Sequence, residues 1–194
     1  MKHLGPASSG NGYAKTGLNL DVTYAGKLWK NFGLASSFHM QTNPFNNEKY
    51  LQNSSVGASS ASVEANSYLT YGLFVGPWYS APLSEKISLD ALIGGGYMFT
   101  SSPEITLQRT YSGQSSTFNI SSGTGGGIAY KFGLGMRYNV SDKLCINADV
   151  STLGMVFKYD STVRTPTGNL TGSTTQDFSS LNIGVGFGYR LGVE

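Results

Sequence analysis

The chain has 194 residues, a formal net charge of +2, and unusually few charged residues, 12% against the usual ~25%. That length fits one domain, and the near-neutral charge argues against a nucleic-acid partner. A mean hydropathy of −0.15, with no run near the ~18 apolar residues of a spanning helix, excludes a helical membrane protein, while the single Cys145 excludes an intrachain disulfide and a Cys-rich zinc site.

Residues 1–12 are polar and Gly-rich and lack the apolar core of a secretory signal. They are expected to be a remnant loop or disordered N-terminus, with residues 13–194 forming the domain. From Ala14 the pattern has period two: Ala14, Thr16, Leu18, Leu20, Val22 and Tyr24 fall on one face, and Lys15, Gly17, Asn19, Asp21 and Thr23 on the other. Such alternation separates the two faces of a β-strand. A short connection, 26–31, leads to a second strand, in which Phe32, Leu34, Phe38 and Met40 oppose Gly33, Ala35, Ser37, His39 and Gln41. A long polar segment, 42–66, follows.

The third strand sets Leu69, Tyr71, Leu73, Val75 and Tyr79 against Thr70, Gly72, Phe74, Gly76 and Ser80; Pro77 inside it predicts a bulge or strand end. After the short turn 82–86, Ile87, Leu89, Ala91, Ile93, Tyr97 and Phe99 face away from Ser88, Asp90, Leu92, Gly94, Gly96 and Met98. A second polar segment, 101–126, precedes a fifth strand with Ile128, Tyr130, Phe132, Leu134, Met136, Tyr138 and Val140 opposite Lys131, Gly133, Gly135, Arg137 and Asn139. Within that segment 104–120 alternates ambiguously (Ile105, Leu107, Arg109, Tyr111) and reads as an extension above the membrane, the runner-up being that it contributes a strand. The turn 141–143 leads to a sixth strand (Leu144, Ile146, Ala148, Val150 against Cys145, Asn147, Asp149, Ser151), and a third polar segment, 160–176, precedes the seventh, 181–193. There Leu181, Ile183, Val185, Phe187, Tyr189, Leu191 and Val193 oppose Asn182, Gly184, Gly186, Gly188, Arg190 and Gly192.

Short turns and long polar segments therefore alternate strictly. Outer-membrane barrels sort their connections this way, with short periplasmic turns and long extracellular loops, whereas a soluble meander has no reason to. The fold expected is all-β, an antiparallel transmembrane β-barrel. Bacterial single-chain barrels use an even number of strands, so the seven visible here predict eight in the complete protein, with an N-terminal strand and export signal upstream. A soluble lipocalin-like barrel is the alternative.

The stretch GYAKTGLNLDVTYAGKLWKNFGLASSF (12–38) and the closing NIGVGFGYRLGVE (182–194) resemble the outer-membrane β-barrel domain proteins of Bacteroidetes-type bacteria, small barrels in the style of the outer-membrane protein A transmembrane domain. In that family a GYAKxG entry leads into a strand, a short turn and an NFGL start. The chain departs from many such barrels in ending without an aromatic residue. The resemblance implies location in the bacterial outer membrane and a small barrel fold, and little about activity.

The inward face carries Asp21, Asp90, Lys131, Arg137, Asp149 and Arg190. A barrel of about eight strands has an interior just filled by side chains, and charges buried there must pair. The expectation is a salt-bridge network that plugs the lumen, with Lys131 and Lys15 above the other charges; a narrow gated channel through the same charges is the functional alternative. His39 could belong to a hydrolytic His/Ser/acid set, but a lipid-cleaving pair should face outward and His39 points inward. The glycines of GIAYKFGLG and ALIGGGYM lack the strand–turn–helix context of a nucleotide loop. Tyr24, Trp29, Trp78, Tyr79 and Tyr138 towards the short turns, and Tyr97 and Phe99 towards the long segments, are expected as two interfacial aromatic girdles. No catalytic residue, cofactor or metal is expected. The protein reads as a non-enzymatic structural or surface-interaction barrel in contact with outer-membrane lipid, any extracellular ligand or protein meeting loops 42–66, 101–126 and 160–176.

Overall fold

A computed structural model describes residues 13–54, 57–165 and 168–191. In chain order its elements are β1 (Leu18–Trp29), β2 (Phe32–Asn43), α1 (Asn47–Ser54), β3 (Ser60–Ala65), β4 (Tyr68–Pro82), β5 (Ile87–Ser101), β6 (Ile105–Tyr111), β7 (Gln114–Ile120), β8 (Thr124–Asn139), β9 (Leu144–Thr165) and β10 (Gly168–Tyr189). Every strand pairing is antiparallel. The strands β1, β2, β4, β5, β8, β9 and β10, neighbours in that order, make one curled half-barrel sheet of 7 strands. These are the strands read from the alternation. The remnant-loop expectation for residues 1–12 and the last outward position, Val193, lie outside the described residues.

The alternation sorts this wall as a period of two requires. Large apolar side chains face out and are bare: Leu20, Leu134, Val185 and Phe187 are 57%, 63%, 86% and 89% exposed. On β2 the opposite face, Gly33, Ala35, Ser37, His39, Gln41 and Asn43, is buried without exception. The small residue Gly154 falls on the outer face of β9 and is nevertheless covered, because the ring of its cross-strand neighbour Tyr130 lies over it.

Pro77 does not produce a bulge. β4 runs through it, paired to Leu34 on one side, and the ladder with β5 lapses only between Val75↔Gly95 and Trp78↔Leu92 without changing register. A proline lacks the N–H that one hydrogen bond of the ladder needs, and the two pairs at Gly76 and Pro77 drop out of the ladder with β5.

The polar segments fold: 104–120, read as an extension, is built of strands, and 42–66 and 160–176, expected as loops, also hold regular structure. Residues 101–126 contain β6 and β7, joined by a two-residue turn at Ser112–Gly113 with both φ positive, the backbone of a type I′ hairpin. Residues 42–66 contain α1 and β3, and residues 160–176 include the upper part of a single β9–β10 hairpin whose ladder runs from Tyr189↔Leu144 to Gly168↔Thr165. The added strands continue ladders of the wall. Leu69↔Ser101 at the end of β4–β5 keeps its register in Ala65↔Ile105, and Ser101↔Thr124 keeps its register in Ile105↔Ile120. β7 then joins the edge of β9 through Asn119↔Arg164 and Ile120↔Val163. Thus β3, β6 and β7 form an extension of the wall beyond its long-connection end.

The extension has its own apolar core: Phe45, Val63, Ile105 and Leu107, with Tyr13, Tyr50, Leu51, Tyr68, Phe118 and Ile120 packed around it. The segment that follows β2 supplies the cover, held by the Ala14↔Phe45 bridge and by Asn46 N–H donating to the Tyr13 carbonyl at 2.6 Å. The alternate series that is bare at Tyr97 and Phe99 is buried at Ile105 and Leu107, while Gln108, Thr117 and Asn119 on the other face are exposed.

Candidate functional site

The concave face of the wall is filled in layers. Nearest the extension lies a run of inward polar side chains on β2, where alternation puts every second residue on the same face. Gln41 Nε2–H donates to Asn43 Oδ1 at 2.7 Å, and Asn43 Nδ2–H donates to the Lys15 carbonyl at 2.9 Å. Across the sheet Thr70 and Thr100 share a hydroxyl–hydroxyl bond of 3.1 Å. Each group in this run finds a partner, as buried polar groups must.

Below these, an apolar cluster occupies the interior: Phe74, Met98, Ala129, Leu153, Met155, Phe157 and Phe178. The ladder explains part of the assembly, since Phe74, Gly96, Ala129, Met155 and Phe178 are successive cross-strand partners. Met98 and Leu153 are fully buried. The sequence had led to an interior of glycines and paired ions, and the apolar block corrects it. The alternation on β9 carries Leu144, Ile146 and Val150 outward, then places Leu153, Met155 and Phe157 on the inner face with no slip of register.

A charged cluster adjoins the apolar block. Asp21 on edge strand β1 pairs with Lys131 on β8, and His39 Nδ1 lies 2.7 Å from the other Asp21 oxygen. Lys131 Nζ also reaches Ser37 Oγ at 3.3 Å and lies 5.9 Å from the centre of the Phe74 ring. Lys131 and His39 are essentially inaccessible, at 4% and 0% exposed. Lys131 was expected above Asp21, yet the two touch: strand tilt brings residues from different heights of their strands to one level, and a lysine spans the remainder. His39 Nε2 faces Gln41 Oε1 at 3.3 Å, and Ser37 is engaged with Lys131. The Asp–His pair therefore meets an amide where a hydrolase would need a serine hydroxyl.

Towards the short turns Arg137 donates through Nη2 to Ser80 Oγ at 2.8 Å and to Asp90 Oδ1 at 3.3 Å, its guanidinium 5.6 Å from the centre of the Trp78 ring. Arg190 donates to Asn139 Oδ1 at 2.6 Å. Asp149 has no cation within ion-pair distance among the described residues; its carboxylate lies over Gly184 of β10. The six inward charges thus split into Asp21–Lys131, Asp90–Arg137 and two residues, Asp149 and Arg190, outside both pairs. A cavity of about 590 Å³ opens below them, bounded by β1 on one side and β10 on the other.

Of the aromatic residues expected in girdles, Tyr24, Trp29, Tyr79, Tyr97, Phe99 and Tyr138 are outward and exposed. Trp78 is the exception. It turns inward under Arg137 and lines the cavity, because it shares the parity of Phe74 and Ser80 on β4. Its nearness to a short turn had suggested a girdle position, but alternation decides its face. Trp29 stacks on Phe32 at 6.4 Å, and Phe32 packs on Tyr79 at 4.8 Å.

No helix among the described residues is long and apolar enough to cross a membrane, and no group of three or more His, Cys, Asp or Glu side chains there could hold a metal ion. No family model, curated protein or solved structure matches the chain.

Proposed function

We propose that the protein is a small outer-membrane-type β-barrel with a plugged lumen, acting as a structural or surface-interaction protein through its extension. The observation that carries the reading is the contrast between two parts of one ladder: the outward apolar row is bare along the wall and covered along the extension. In water a chain gains about 25 cal/mol for each Å² of apolar surface it hides, and the extension behaves accordingly. The bare rows, such as 128–138 on β8, match the roughly 9–11 residues a tilted strand needs to cross a bilayer. A soluble lipocalin-like carrier would keep its large apolar residues for the interior, whereas here the outer rows carry them and the inner faces of β2 and β8 carry small, polar and charged residues. The apolar block and the Asp21–Lys131–His39 cluster favour a closed lumen over a channel.

Closure of the wall belongs to the same proposal. Among the described residues β1 and β10 each pair on one side only. Both run from the long-connection end to the short-turn end, so one further strand, antiparallel to each, completes an eight-stranded barrel. Open edges are not tolerated in lipid, and β1 is exposed along both faces over nearly its whole length.

The test is refolding into detergent and lipid, followed by planar-bilayer recording. A folded band that shifts on boiling, protease protection of the wall in vesicles and no steady conductance are expected. Full solubility without detergent would end the membrane reading; steady single-channel steps would end the plug and favour the gated channel.

A further inference from the structure

We propose that the cavity at the short-turn end binds a phosphate group, either as inorganic phosphate or as the headgroup of a lipid entering between β1 and β10. Its lining brings Lys27 of β1, Arg137 of β8 and Arg190, just past the end of β10, to one space with a single carboxylate, Asp90. Asp90 is engaged by Arg137, and among the described residues no carboxylate lies within ion-pair distance of Lys27 or Arg190. The surplus is two positive charges, which hydrogen phosphate would balance at neutral pH.

The surplus selects for an anion of about two charges over a cation or an apolar group. The donors come from β1, from β8 and from just past the end of β10, and this spread suits a tetrahedral oxyanion better than a planar carboxylate held by one fork. The guanidinium groups are pre-positioned: Asn139 and Trp78 hold Arg190 and Arg137 respectively. The outward residues Tyr24, Tyr189 and Leu191 also border the cavity and are exposed, so it opens sideways as well as downward.

This site is built wholly from described residues; the closed barrel proposed above admits inorganic phosphate alone, and the lipid source requires that the gap between β1 and β10 stay open in the membrane. A strand closing the gap would wall the cavity from lipid and leave inorganic phosphate as the occupant.

The experiment uses the full chain in detergent with Trp29→Phe, which leaves Trp78 as the sole tryptophan. Its emission is titrated with inorganic phosphate at constant ionic strength, with acetate as the comparison, and read again in nanodiscs of phosphatidylcholine with and without phosphatidylglycerol. A saturable change with phosphate, weaker with acetate, is expected from the first source, and a change confined to phosphatidylglycerol discs from the second. In either case Arg190→Gln, or Lys27→Gln should the first variant fold poorly, weakens the response by about tenfold or more; Lys30→Gln, on the outer side over Trp29, leaves it unchanged. No saturable response from either source, equal affinity for acetate, or full binding by both Arg190→Gln and Lys27→Gln overturns the proposal, while a folded barrel in those same samples leaves the proposed function standing.

Discussion

The wall and its extension share ladders and register but leave opposite kinds of surface open. In the wall the buried face carries Ser37, His39, Gln41, Asn43 and Lys131, and the open face carries leucine, valine, isoleucine and aromatic rings. In the extension the buried face carries Val63, Ile105 and Leu107, and the open face serine, threonine and glutamine. Backbone hydrogen bonding is the same in both. What differs is whether the outward apolar row is covered, and the change falls within the few residues between β5 and β6. The chain adds α1 and Phe45 where an apolar row needs cover and adds nothing where it does not.

The largest effect expected on this contrast comes from the wall's interior. Lys131→Ala removes the cation that Asp21 contacts inside the sheet, leaving a part-buried carboxylate with His39 alone. Breaking such a pair costs about 3–5 kcal/mol, and chemical unfolding of the refolded protein should show it. A variant that unfolds with the wild type would mean the cluster is solvated and the lumen open. In the extension the matching change is apolar. Leu107→Ala empties part of a core in which Leu107 is 2% exposed, at about 2–5 kcal/mol. Because this core is separate from the cluster around Phe74, the loss should be local: faster hydrogen exchange across β3, β6 and β7, with the wall's amides unchanged. Uniform acceleration would mean that the two regions unfold as one.

The open faces give a smaller but more diagnostic pair. Leu134 sits near the middle of the bare row on β8, and Gln108 lies on the open face of β6. Leu134→Arg should cost about 2–4 kcal/mol in a bilayer, whereas Gln108→Arg should stay within about 0.5 kcal/mol. Folding titrations in vesicles measure both. If the two arginines cost the same, hydrocarbon does not touch the wall and the contrast needs another cause.

Much of the wall was legible because period-two alternation is a local property. The strand faces around Asp21, Leu134 and Val185 follow from it directly. The reading stopped where the pattern changed meaning. β9 continues for many residues past Ser151, but its large apolar residues move to the inner face at Leu153, so the outward row fades while the strand goes on. The turn at Ser112–Gly113 was available as a signal, a Ser-Gly pair between alternating segments; the polar composition of its surroundings hid it. The short helix α1 has too few apolar residues to announce itself. Partners in the lumen were not legible at all, since Lys131 and Asp21 lie 110 residues apart and only the curl of the sheet brings them together. Trp78 shows the reverse case, where parity carried the answer and position along the strand misled.

The finest test of the contrast is a titration inside the extension's core. Burial pushes the Tyr50 hydroxyl above its usual 10.0, with a hydrogen bond from Ser54 and the charge of Arg109 opposing the rise. Its ring packs at 5.3 Å from Phe45 and edge-on at 5.1 Å from Tyr13. Because the folded value is raised, the neutral hydroxyl's contribution is fully present below the unfolded value and is lost as pH climbs through the folded one. The difference in tyrosinate absorbance between the wild type and Tyr50→Phe isolates this single group, and its midpoint should lie above 10.0. The variant should also soften the alkaline loss of near-UV ellipticity while leaving the neutral-pH spectrum close to wild type. A midpoint at or below the usual value would mean that Ser54 and the charge of Arg109 outweigh burial at Tyr50, and the cover over this side of the extension would be thinner than its packing on Phe45 and Tyr13 implies.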